Sequence, residues 1–145
     1  MSKDRFTEVE KTAIVNAIRT AEQLTSGEVR VHIDELCEGD ALDRAVAIFH
    51  KLGMSKTAER NAVLIYLALD DKKFAIIGDK GINAVIPPHF WDDERDLMIS
   101  YFKKDQFIEG LVEGILKVGE QLRAFFPHQS DDKNELDNDI TFGQE

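Results

Sequence analysis

Residues 62–69 read Ala-Val-Leu-Ile-Tyr-Leu-Ala-Leu, the longest apolar run in the chain. A run of that length, with no polar alternation, is a strand in the middle of a sheet covered on both faces. The rest of the chain must then supply an apolar layer for each face, and its helical patterns can do so. Thr7 with Glu10 forms a capping box, and Val9, Ala13, Ile14, Ala17, Ile18, Ala21 and Leu24 follow at helical spacing. Thr25-Ser26-Gly27 ends that helix, with Gly27 suited to a left-handed conformation. Asp40 caps a second helix to about residue 52, its inner face formed by Leu42, Ala45, Val46 and Phe49, and Gly53 closes it.

Two further strands flank the central run. Over 28–34, Val29, Val31 and Ile33 alternate with Glu28, Arg30 and His32, the period of a strand with unlike faces. After the turn Asp70-Asp71-Lys72-Lys73, residues 74–77 make a third strand and a hairpin, followed by a loop at Gly78-Asp79-Lys80-Gly81. Helices are expected over 89–103 and from Asp105 to about residue 126. The order is α-β-α-β-β-α-α. A helical crossover makes the first two strands parallel, and the hairpin makes the third antiparallel to the second. The expectation is a three-layer αβα sandwich around a small mixed sheet, one domain over residues 1–127.

The chain has 145 residues, with 28 acids against 18 bases, for a formal charge of −10. That charge excludes nonspecific nucleic-acid binding and docking on an anionic membrane, which need clustered cations. It favours a divalent cation or a basic protein partner. Residues 128–145 hold six acids and one base, lack periodicity, and are expected to be a disordered acidic tail. The single cysteine excludes a disulfide framework. With no apolar leader and no run near the roughly 20 apolar residues of a membrane span, a monomeric cytoplasmic protein is expected.

Strand direction brings three polar turns to one rim: Ser26-Gly27-Glu28, Arg60-Asn61 and Gly78-Asp79-Lys80-Gly81. Glu28, Asn61 and Asp79 supply the carboxylate and amide oxygens that Ca2+ or Mg2+ takes. The opposite rim carries Asp34, Glu35, Asp70 and Asp71. Asp34, Asp70 and Asp71 are the second choice for the cation, because open α/β sheets bind ligands at the carboxyl ends of their strands. His32 alternates outward and is expected at a surface or groove position, not as a ligand. Cys37 lies among acids, with no arginine loop to cradle phosphate, so a catalytic thiol is not expected.

Ser26-Gly27-Glu28-Val29-Arg30-Val31, Arg60-Asn61-Ala62-Val63-Leu64-Ile65-Tyr66 and Lys72-Lys73-Phe74-Ala75-Ile76-Ile77-Gly78-Asp79-Lys80-Gly81-Ile82 together resemble the TPM domain in order and spacing. That family is named from a thylakoid lumen protein, a photosystem II-associated protein and a nematode receptor modulator. The resemblance implies an αβα sandwich and divalent-cation binding, and the soluble form is similar to stand-alone bacterial members. It also implies acid phosphatase activity, which is attributed to a plant member. A metal-dependent phosphatase would use metal-bound water on a phosphomonoester, with Arg60 or Lys80 neutralising phosphate charge. A noncatalytic module for a basic protein partner is the third reading.

Overall fold

A computed structural model of the chain describes residues 5–128 and 140–143. The elements are α1 (Glu8–Leu24), β1 (Glu28–Asp34), α2 (Ala41–Lys51), a 3-10 turn (Met54–Lys56), β2 (Ala62–Ala68), β3 (Lys73–Gly78), α3 (Lys80–Asn83), α4 (Asp92–Phe102), α5 (Phe107–Arg123) and β4 (Thr141–Phe142). The sheet order is β3-β2-β1-β4. β1 and β2 are parallel, with Glu28 opposite Ala62, and β2 and β3 are antiparallel, with Leu64 opposite Ile77.

All seven residues of β2 are buried. Alternate side chains divide between two cores: Val63, Ile65 and Leu67 join Val29, Val31 and Ile33 under α1, α4 and α5. Leu64, Tyr66 and Ala68 face α2 with Ala45, Ile48 and Phe49. The expected αβα sandwich is therefore the fold, and the continuous apolar run is its central layer. α1 and α5 lie against each other where a Cβ at Gly119 would come within 2.7 Å of Ala21 Cβ. Among the described residues no helix is long and apolar enough to cross a membrane.

Local chemistry explains the departures. The Thr7–Glu10 capping box forms in both directions, but Val9 is exposed because α1 packs through Ile14, Ala17, Ile18 and Ala21. Leu42 and Val46 on α2 are exposed too, and Ile48 takes the inward place beside Ala45 and Phe49. Gly27 is not left-handed; it is small because a Cβ there would press on Leu122 Cδ1 at 3.1 Å and Asn61 O at 3.2 Å. The loop expected at 78–81 instead starts α3, capped by the Asp79 side chain on Lys80 N. α4 and α5 begin later than expected, after His89 and Asp105, both of which have positive φ.

The acidic tail is not uniform. Residues 129–139 and 144–145 lie outside the described set, so the expected disorder is not addressed there. Ile140 is buried, and Thr141 and Phe142 pair in parallel with His32 and Ile33 as a fourth strand. Pattern analysis misses it because two residues carry no period.

Candidate functional site

Backbone bonds assemble the rim where β1 and β2 start and β3 ends. Glu28 N–H donates to Asn61 O at 3.3 Å, Asp79 N–H to Ala62 O at 2.9 Å, and Gly81 N–H to Arg60 O at 2.8 Å. A Cβ on Gly81 would overlap the Glu59 carbonyl, so glycine is needed for this approach. The three polar turns do meet.

Their side chains do not all point to one place. Arg60 grips Asp79 bidentately, Nε to Oδ2 at 2.7 Å and Nη2 to Oδ1 at 2.9 Å. Burial pushes the Asp79 carboxyl up, but Arg60 and the Lys80 amide outweigh it and hold the group below the usual carboxylate range. A cation at Asp79 must therefore displace a guanidinium. Asn61 is 1% exposed; its Nδ2 donates to Ser26 Oγ and Glu59 Oε2, and its Oδ1 is buried with no hydrogen-bond partner.

Glu28 is buried and lies against a carboxyl that the sequence reading passed over, Glu22 in the last turns of α1. Glu22 Oε2 accepts from Val29 N at 3.0 Å, which fixes it at the open edge of β1. Burial, then the hydrogen bond and charge of Glu28, push the Glu22 carboxyl up to about 8 although the Val29 amide opposes this. At neutral pH the pair shares a proton. Its only sequence signal is Glu22 being six residues before Glu28, across a helix end.

The opposite rim is internally neutralised. Asp34 is fully buried and receives Tyr66 Oη–H at 2.7 Å, Arg44 Nε at 2.9 Å and His32 Nε2 at 3.0 Å. Burial would raise its pKa, yet these donors together hold the carboxyl well below the usual range, and burial with the bond to Asp34 pushes the Tyr66 phenol up. Gly143 packs against Asp34, where a Cβ would overlap Oδ1. His32 is buried, not at the surface, because β4 covers it; Nδ1 hydrogen-bonds Thr141 Oγ1 at 2.7 Å. Asp70 pairs with Arg5 at 2.8 Å, and Asp71 accepts from Cys37 N at 2.7 Å. Asp34, Asp70 and Asp71 thus serve separate structural bonds. Among the described residues, no three His, Cys, Asp or Glu side chains form a cation cluster.

One further acid stands apart. Glu94, in the first turn of α4, is fully buried, and neither carboxylate oxygen has a hydrogen-bond partner. Burial raises its pKa. The folded protein binds this proton more tightly than the unfolded chain does, so this group lowers stability as pH rises above the unfolded value of about 4.3. Glu94→Met is expected to stabilise the fold at neutral pH by about 1–3 kcal/mol, with little gain near pH 4. Urea unfolding at both pH values checks this; an equal gain at both would refute the titration argument.

No curated protein matches the chain. The NMR structure of the BA42 protein from the psychrophilic bacterium Bizionia argentinensis is 49% identical over 95% of each chain, with a TM-score of 0.90. The N-terminal domain of a P. gingivalis protein superposes with a TM-score of 0.67 at 21% identity, covering 86% of this chain and 82% of that one. The N-terminal domain of cg2496 from Corynebacterium glutamicum gives 0.65 at 12% identity, over 98% and 84%; at these two identities the likeness shows the fold alone. The TPM domain family matches residues 2–121, a span that takes in all three sequence blocks and both rims of the sheet, and the chain belongs to that family.

Proposed function

We propose that this TPM domain binds a divalent cation, Ca2+ or Mg2+, at the strand-start rim, with Glu28 and Asn61 as ligands and Glu22 joining them. The observation that carries the reading is the contact between two carboxyl groups at a rim where the buried Asn61 amide oxygen also lacks a partner. Side-by-side carboxyls repel when both ionise, and a hard divalent cation removes that repulsion by taking oxygens from both. The donor set fits: two carboxylates, an amide oxygen and nearby backbone carbonyls are all oxygen ligands. Waters would complete a sphere that protein groups fill only partly, and a site with so few charged ligands binds weakly. Asp79 stands at the same rim and contributes only if Arg60 releases it.

Titrating Ca2+ into the protein while following backbone amide shifts tests the assignment. Saturable shifts are expected at 22–30 and at Asn61, with smaller ones at 78–81. Shifts confined to 34–35 and 70–71 would place the cation at the other rim, and no saturable shift would end the proposal. Hydrolysis of a phosphomonoester is not part of this reading. Cys37 is buried with its thiol directed at backbone carbonyls, and Arg60 is engaged by Asp79.

A further inference from the structure

The two edges of the sheet are treated differently. β4 covers part of β1, whereas β3 forms the other edge. Among the described residues, β3 makes backbone hydrogen bonds only to β2, and the one side-chain bond to its backbone is from Asn83 Nδ2 to Gly78 O. α2 and α4 rise on opposite faces of the sheet beside this edge. Two grooves lie along it, one of about 630 Å³ beside Lys73 and Phe74 and one of about 510 Å³ beside Ile77 and Gly78.

The walls match a strand laid along β3. Residues of an added strand alternate between faces. On the α2 side they would meet Leu42 and Val46, which are 51% and 42% exposed. On the α4 side they would meet Phe74, Ile99 and Phe102. The charge at this edge is opposite to that of the chain. Lys72, Lys73, Arg95 and Lys103 ring the first groove in a protein of net charge −10. Its one acid, Asp40, is committed to capping α2 through Leu42 N at 2.7 Å. Lys73 is held by the Cys37 and Gly39 carbonyls, which do not cancel its charge. The pairs Lys72–Asp105 and Arg95–Asp92 are exposed and therefore weak. At the far end, His50 and Lys80 flank Asp79, whose charge Arg60 already answers.

The geometry points to β3 as a docking edge for an extended acidic peptide segment of a partner protein, added as a fifth strand with alternate apolar side chains between α2 and α4. Main-chain bonds to β3 supply affinity, the two walls select apolar residues at alternate positions, and the lysine ring selects acids between them. The groove beside Lys73 and Phe74 shares no lining residue with the cation rim, and the second groove meets that rim only at residues 78–80, so the docking test does not depend on a bound cation.

The test uses the full chain in chelator, with a short peptide of alternating glutamate and valine as probe and the lysine–valine counterpart as control. The acidic peptide is expected to shift amides at 73–78 and slow their hydrogen exchange. Lys72→Glu with Lys103→Glu, both at exposed positions, is expected to weaken binding by about tenfold or more. Val46→Asp, exposed on the α2 wall, is expected to weaken it separately. Equal binding of the basic peptide overturns the charge argument, and shifts without slowed exchange at β3 overturn strand addition. Protection of 73–78 in peptide-free protein that sediments as a dimer would assign the edge to a second copy and overturn the proposal. So would the absence of any shift at millimolar peptide.

Discussion

Asp34→Ala is expected to be the most damaging single change on the carboxyl-end rim, costing about 3–5 kcal/mol in urea unfolding. The carboxylate is fully buried and serves three donors from three places: Tyr66 on β2, Arg44 on α2 and His32 two residues away on its own strand. Alanine leaves the buried Tyr66 hydroxyl and His32 ring without that acceptor, and leaves Arg44 beside an apolar core with no counter-charge. β4 should loosen too, since His32 binds Thr141 and Gly143 N–H donates to Ile33 O at 3.0 Å. Faster hydrogen exchange at Gly143, ahead of global unfolding, is the local readout. The pH dependence has a definite sign. The folded-state pKa of Asp34 is depressed, so its contribution is complete above the unfolded value of about 3.9 and is lost as pH falls below that. Wild type and Asp34→Ala should therefore converge in acid. A cost below about 1 kcal/mol at neutral pH would show that the network is dispensable.

The same residue shows where sequence reasoning succeeds and where it stops. Period and run length are local properties, so the central strand at 62–69, the alternating strand at 28–34 and their parallel pairing were all legible. Topology then placed the three polar turns together, and the backbone bonds among Glu28, Asn61, Ala62 and Asp79 agree. What a side chain does at a rim depends on long-range partners that carry no spacing. Arg44 reaches Asp34 from a helix across ten residues, and Arg60 reaches Asp79 across nineteen, so acids that read as open ligands are already answered. Thr141 and Phe142 were hidden for a related reason: a two-residue strand draws its stability from the edge of β1 and from covering His32 and Asp34. Glu22 was missed because it sits on the polar side of a helix, where a glutamate ordinarily needs no account. Only the helix end turning straight into β1 sets it against Glu28.

That pair yields the second large effect, in which one substitution moves stability and binding in opposite directions. Glu22 is raised to about 8 in the folded protein, so between roughly pH 4.5 and 8 unfolding releases a proton and stability falls as pH rises. Glu22→Gln removes the titration and keeps an oxygen to accept from Val29 N–H. In chelator it is expected to raise the unfolding midpoint by several degrees at pH 8.5 and to change it little at pH 4. With Ca2+ present the order should reverse. On the proposed assignment wild type is expected to gain stability with cation concentration, because an ion bound only by the folded state stabilises it, whereas Glu22→Gln and Glu28→Gln are expected to lose about tenfold or more in affinity and to respond little. Asp79→Asn separates the two rim positions: it loses the Arg60 pair and some stability, and keeps the Ca2+ response. Two carboxyls in contact, one of them buried, do not serve stability, since neutralising one improves the fold; a cation response is the function they would serve. If Glu22→Gln stabilises the protein equally with and without Ca2+, the pair is a structural proton-sharing contact and the cation assignment is wrong.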